Sequence, residues 1–291
     1  MSLKPQFSSM HTHTTFDDGK DDIETMCRTA YEKNLLAIGF SAHVPMEKQL
    51  GKPTGWSLKE KDVQEYVTQV LAAKKRWQGK LNVFLGIEAD YVKGLRSPLD
   101  SDLKTLNLDY KIGSVHHIYP DNSSELISID GPAKEFNEML FKFFAGDAEK
   151  LMHKYYDAII QMIQGGCFDI IGHIDLIKMN CLGKHFWPLE AEIRRQREIV
   201  TLISKTELVV EVNTGGINRK KHNEVYPSVP FLRIIREFNV PVTITADAHC
   251  ASDLNGSYNV ALESLKLADI KEHVIFNGKN SGKSDWQLVK I

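Results

Sequence analysis

The chain has 291 residues, 25% charged and 42% hydrophobic, the composition of a globular protein long enough to bury a sizeable core. A formal net charge of −2 gives no electrostatic case for a nucleic-acid partner. No apolar run approaches the roughly 20 residues of a membrane-spanning helix, and no positive-then-apolar secretory pattern opens the chain, so a cytoplasmic location without a membrane partner is expected.

Strand-like stretches fall near residues 7–13, 35–42, 81–88, 108–115, 168–173, 207–213 and 241–247. Helical patterns lie between them at 21–33, 57–77, 147–164, 188–204 and 228–238, the fourth with Pro188 suited to a first helical turn. Leu208-Val209-Val210 and Val242-Thr243-Ile244-Thr245 are apolar or β-branched on both faces, as parallel strands are. Residues 119–146 exceed an ordinary strand-to-helix loop and are expected to form a lid or substrate wall. A last strand-like piece at 273–276 precedes a polar tail. No linker or repeat divides the chain, so 1–291 is read as one domain. Strand–helix alternation with seven or eight strands fits an α/β barrel, whose active sites lie at the C-terminal strand ends. Cys27, Cys167, Cys181 and Cys250 form no C-x-x-C pair and are expected to be reduced and mostly buried.

The strand ends carry the chemistry. Burying an unpaired imidazole or carboxylate costs kilocalories, yet successive strands end on such residues. His11-x-His13 and Asp247-x-His249 have strand spacing, which projects both side chains from one face toward a shared cation. Asp18 in the first loop can reach the same cations, with Asp17 or Asp21 left to cap the following helix. His43, Glu88 and His173 end their strands, and the two oxygens of Glu88 can bridge two metals. His116 and His117 face opposite sides of a strand, so His116 joins the cluster while His117 faces substrate or a helix. His153, His185, His222 and His273 are read as solvated or satisfied histidines. Six histidines and three carboxylates exceed the needs of one ion, so two or three divalent ions are implied, with zinc, manganese and iron all compatible. After the sixth strand, Asn213 and Arg219 stand on the substrate side, the guanidinium fork of Arg219 matching phosphate geometry. Lys220 and Lys221 fit a solvated loop equally well, and Arg194, Arg195 and Arg197 read as an ion-paired helix face.

His11-x-His13-Thr14, Asp18-Gly19, Ser41-Ala42-His43, Gly86-Ile87-Glu88, Gly113-Ser114-Val115-His116, Ile171-Gly172-His173 and Asp247-Ala248-His249 together resemble the motifs of the polymerase and histidinol phosphatase (PHP) superfamily, from residue 11 to about 250. The details Gly113-Ser114-Val115-His116-His117 and Glu211-Val212-Asn213-Thr214 are most similar to its histidinol-phosphatase branch. That resemblance implies a distorted (β/α)7 TIM-like barrel with a trinuclear metal centre, held by His11, His13, Asp18, His43, Glu88, His116, His173, Asp247 and His249. It implies hydrolysis of a small phosphomonoester, L-histidinol phosphate, in histidine biosynthesis. The expected nucleophile is a metal-bound hydroxide held by His11, His13, Glu88, Asp247 and His249, attacking phosphorus directly. His117, Asn213 and Arg219 are the expected substrate contacts, and His249 or His117 the expected aid to the leaving group. Ala42 departs from the pattern, since many members carry an acid there. A nucleotide phosphodiesterase, an exonuclease or a phosphotyrosine phosphatase of the same superfamily is the alternative, and a non-catalytic metal-binding barrel is disfavoured by the intact ligand set.

Overall fold

Parallel strands surrounded by helices place the strand ends named above around one mouth. A computed structural model describes residues 6–181 and 186–291, without the side chain of Cys181; His185 lies outside the described residues. Strands β1 (Ser8–Ser9), β2 (Ala37–Phe40) and β3 (Asn82–Leu85) pair in parallel in that order. A second parallel sheet runs in the order β10-β9-β8-β5-β4, from β4 (Glu88–Asp90), β5 (Ile112–Ser114), β8 (Ile170–Ile171), β9 (Val209–Asn213) and β10 (Val242–Thr245). Single parallel bridges join the two sheets, Thr12 to Ala248 on one side and His43 to Glu88 on the other. With β3 and β4 taken as one strand interrupted at Gly86-Ile87, seven parallel strands form a distorted (β/α)7 barrel.

Local chemistry explains the elements. The helix Ile23–Glu32 starts at Asp22, whose carboxylate accepts the Thr25 N–H at 2.7 Å, and buries Ile23, Met26, Cys27 and Ala30 at helical spacing. The helix Ala148–Gly165 is capped in the same way by Asp147. Leu189–Ile203 and Val229–Glu237 match their expected positions, with Pro188 as the residue before the first turn. The expected helix over 57–77 begins later, at Val63, because Ser57 pairs with the Thr54 hydroxyl and the Leu58 N–H goes to the His43 carbonyl.

Two segments differ from the loop and tail expected there. Residues 119–146 hold the second strand of a short hairpin, β6 (His117–Ile118) with β7 (Ile127–Ser128), and a helix Ala133–Phe144 that buries Phe136, Met139, Leu140 and Phe144. The polar tail is strand β12 (Lys283–Lys290), antiparallel to β11 (Glu272–Asn280). This hairpin brings Phe276 onto Phe84, Tyr110 and Trp286, in a cluster that includes Ala37, Ile112 and Ile170 at the starts of their strands. It therefore seals the end of the barrel opposite the site. Tyr110 fills the interior and donates to the Met10 carbonyl at 2.5 Å. A Cβ on Gly39 or Gly86 would come within 2.4 Å of its ring or hydroxyl, so glycine is required at both. Cys27, Cys167 and Cys250 are free thiols, but only Cys27 is buried; Cys167 is exposed because it lies in a left-handed turn after the helix, with φ 65°.

Candidate metal centre

Every ligand-type residue named from the sequence lies at the C-terminal mouth of the barrel, in overlapping groups whose ligand atoms are within 4.8 Å of one another. Glu88 stands at the middle, fully buried. Its Oε2 lies 3.2 Å from His11 Nε2 and 2.9 Å from His43 Nδ1. Its Oε1 lies 3.0 Å from His173 Nε2 and 3.4 Å from His116 Nε2. The two oxygens thus face two different sets of imidazoles. Asp247 Oδ1 lies 3.4 Å from His13 Nε2, and a third set gathers His13, Asp18, His43 and His249. His116 Nε2 and His173 Nε2 are only 3.2 Å apart, two ring nitrogens directed at one point.

Behind this set lies a shell of carboxylates that bond the imidazoles from the rear. His11 Nδ1 donates to Glu211 Oε1 at 2.6 Å, His13 Nδ1 to Asp17 Oδ2 at 2.6 Å, and His116 Nδ1 to Asp90 Oδ1 at 2.7 Å. An ionised carboxylate only accepts, so each holds a proton on Nδ1 and turns Nε2 toward the centre, where a bound cation would take the place of a second ring proton. Asp17 also accepts the His43 and Thr14 N–H groups, which takes it away from the helix-capping role weighed for it; Asp22 caps that helix, and Asp21 accepts the Ala251 N–H. Glu211, fully buried, takes four donors: His11 Nδ1, the Thr245 hydroxyl at 2.5 Å, the His173 N–H at 2.7 Å and Asn213 Nδ2 at 3.0 Å. Glu88-x-Asp90 and Glu211-x-Asn213 repeat the alternate-residue spacing of His11-x-His13, the one sequence signal that could have exposed two of these three acids.

The electrostatics agree with a cation site. Burial opposes charge on His11, yet Glu211, Glu88 and Asp247 outweigh it and hold that imidazole well above its ordinary range. His13 and His116 rise to about 9, against the same burial, through Asp17 for the first and through Asp90 and Glu88 for the second. Burial opposes the charge of Glu88 too, and His11, His43 and His116 overcome it to keep that carboxyl well below its usual value. His11 Nε2, His13 Nε2, His43 Nδ1 and Glu88 Oε2 are buried atoms without a hydrogen-bond partner among the described residues. Buried polar atoms of this kind need a partner, and the mixed nitrogen and oxygen donor set fits divalent cations.

The expected substrate contacts separate. Arg219 lines the cavity with Asp18, His43, Glu88, His116, Asp247 and His249. Its Nη1 donates to the Asp247 carbonyl and to His249 Nδ1, and its Nη2 to Asp247 Oδ2 at 2.9 Å. Asp247 itself has φ 48°, a conformation costing about 1–3 kcal/mol in a non-glycine residue. Gly215 makes room for it, since a Cβ there would lie 2.8 Å from the Asp247 side chain. Asn213 is fully buried and bonds Glu211, Asp247 and the Gly215 N–H, so it supports the cluster and has no face toward a substrate. His117 stacks on Trp56 and lines a neighbouring pocket with Lys154 and Gln161, outside the cavity of the metal cluster. Lys221 lines the cavity, whereas Lys220 is exposed in a left-handed turn. Arg195 pairs with Asp157 and Glu198, and Arg197 with Glu237, as an ion-paired helix face does. His222, read as solvated or satisfied, is buried and stacks on Tyr226, with both ring nitrogens unpartnered among the described residues. His273 is likewise buried, in β11, with Nδ1 unpartnered among the described residues.

A parallel barrel with imidazoles and carboxylates converging at its C-terminal mouth is the architecture of a metal-dependent hydrolase. The PHP domain matches residues 9–215, and the chain belongs to that family. Among curated proteins it is similar to the "Probable histidinol-phosphatase" of Deinococcus radiodurans, 26% identical over 82% of this chain and 84% of the relative. The histidinol-phosphatase of Bacillus subtilis is 24% identical over 87% of this chain and 97% of its own. A solved Listeria monocytogenes protein with a provisional histidinol phosphatase name superposes with a TM-score of 0.75 at 23% identity, covering 87% of this chain and 98% of that one. Histidinol phosphate phosphatase from Lactococcus lactis, solved with zinc, L-histidinol and phosphate, superposes with a TM-score of 0.65 at 18% identity, covering 96% and 99%. These two superpositions establish the fold.

Proposed function

We propose that the chain is a metal-dependent phosphomonoesterase that hydrolyses L-histidinol phosphate to L-histidinol and phosphate, a step of histidine biosynthesis. The observation that carries the metallohydrolase reading is the convergence on Glu88, whose Oε1 faces His116 and His173 while its Oε2 faces His11 and His43, whose facing nitrogens are buried without a hydrogen-bond partner among the described residues. The substrate is supported by the two curated histidinol-phosphatases, which the chain covers over more than four-fifths of their length. In this reading His11, His13, Glu88 and Asp247, then Glu88, His116 and His173, then His13, Asp18, His43 and His249 hold two or three divalent cations. Zinc in the Lactococcus relative favours zinc over manganese or iron. Such cations, when bound, supply an acidified water and neutralise phosphate charge.

The chain's own residues do the rest. Glu211, Asp17 and Asp90 orient the imidazoles and prevent them from rotating away from the centre. Arg219 clamps a phosphate oxygen through Nη2, which makes one contact among the described residues and keeps one N–H. Lys221 adds a second positive charge on the wall. The 119–146 segment belongs to the same domain and forms a wall of the cavity, supported by the Ile129 N–H on the His116 carbonyl. No helix among the described residues is long and apolar enough to cross a membrane, and the free thiols Cys27, Cys167 and Cys250 suit the reducing conditions of a cytoplasm. The test is turnover of L-histidinol phosphate against a panel of phosphomonoesters and phosphodiesters, with metal content measured on the same sample. Clear preference for a diester would overturn the reading in favour of a phosphodiesterase.

A further inference from the structure

We infer that Asp130 is the specificity residue that binds the α-ammonium of the substrate, in the wall of the cavity that holds the metal cluster. The inference rests on the function proposed above and names a subsite within it. Four carboxylates line the cavity: Asp18, Glu88, Asp130 and Asp247. Asp18, Glu88 and Asp247 lie against histidines of the cluster, while among the described residues Asp130 makes no such pair and belongs to none of the candidate metal groups. Its Oδ1 accepts the Ser128 hydroxyl at 2.8 Å, and its Oδ2 has no hydrogen-bond partner among the described residues.

The backbone around Asp130 is pinned on both sides. The Ile129 N–H donates to the His116 carbonyl at 2.8 Å, tying this segment directly to a residue of the cluster. Asn180 Nδ2 donates to the Ile129 carbonyl at 3.3 Å and to the Gly131 carbonyl at 3.1 Å, so one carboxamide spans the residue. A carboxylate meant only to be solvated needs no such clamp. Here a negative group is held at fixed distance from the metal cluster, beside the apolar walls Leu176 and Met179. A phosphate at the cluster and Arg219 places the remainder of a small substrate against that wall. L-histidinol phosphate carries one cation there, its primary ammonium, and an ionised carboxylate is the group that recognises it. A phosphomonoester without an amine gains nothing from Asp130, so the residue sorts substrates by charge and leaves the displacement itself alone.

Asp130→Asn keeps the acceptor for Ser128 and removes the charge. The variant and the wild type are compared on L-histidinol phosphate and on 3-(imidazol-4-yl)propyl phosphate, which lacks only the amine. The expected result is a KM for L-histidinol phosphate raised about 10- to 100-fold with kcat little changed, as for loss of a charge-assisted hydrogen bond, and no more than about a twofold change on the deamino compound. Equal losses on both compounds overturn the assignment in favour of a packing role, and equal activity of variant and wild type on L-histidinol phosphate overturns it outright. A wild type that turns over other monoesters but not L-histidinol phosphate overturns the proposed function itself, and this inference with it.

Discussion

Glu211→Gln tests the idea that the cluster is held from behind. The carboxylate accepts from four donors, two at each oxygen: His11 Nδ1 and the Thr245 hydroxyl at Oε1, the His173 N–H and Asn213 Nδ2 at Oε2. A glutamine offers one oxygen and one NH2, so in either orientation two donors meet a third donor. Each unsatisfied buried donor costs about 1–3 kcal/mol, which gives a loss of about 2–6 kcal/mol in stability before any rearrangement. If the NH2 faces His11, the imidazole shifts its proton to Nε2 or rotates, and in both cases the nitrogen aimed at Glu88 no longer accepts a cation. Losses of this kind in groups behind metal ligands run to about 10- to 100-fold in metal affinity. Competition with a chromogenic chelator measures the affinity, and urea unfolding of the metal-free protein measures the stability. A variant with wild-type metal affinity and wild-type unfolding midpoint would refute the claim that Glu211 fixes His11.

Three further outcomes are expected. Glu88→Ala removes the carboxylate shared by two imidazole sets, so mass-spectrometric metal analysis should find fewer ions bound and activity should fall at least about 1,000-fold, the scale of losing a metal's charge stabilisation; full metal occupancy is the contrary result. Burial depresses the pKa of His273 to about 4, the backbone of Val274 offsetting only part of that. Because the folded value lies below the unfolded value of about 6.5, its contribution to stability is complete above pH 6.5 and is lost as the pH falls toward 4. His273→Gln should therefore flatten the acid side of the stability profile by about 3 kcal/mol between those limits, read as the difference from wild type in urea unfolding; parallel profiles would show that His273 is not the titrating group. Gly86→Ala puts a Cβ within 2.4 Å of the Tyr110 ring, and the shift this forces should cost about 1–3 kcal/mol or more by the same unfolding assay, whereas an unchanged midpoint would mean that the barrel interior has slack.

The first layer of the site was legible in the local pattern alone. His11, His13, His43, Glu88, His116, His173, Asp247 and His249 could be read because each interrupts an apolar strand, where a polar side chain has no local reason to be. The barrel was readable for the same kind of reason, since alternating strand and helix patterns leave few ways to bury both faces of a parallel sheet. Tertiary structure decided everything that depends on a partner distant in the chain. Glu211 is 200 residues from His11 and Asp90 is 26 from His116, so their pairing is set by strand order and register, with Ile112 opposite Glu88 and Val210 opposite Ile171. The same sheet turns Asn213 inward onto Glu211, while His117, next to His116 in sequence, stacks on Trp56. Asp130 had no sequence signal at all. Its role comes from a hairpin and an asparagine 50 residues further on, which hold a loop carboxylate against a cavity built from other strands. Local pattern reports which residues must leave water, while the direction in which a buried polar group points is fixed only when the sheet closes.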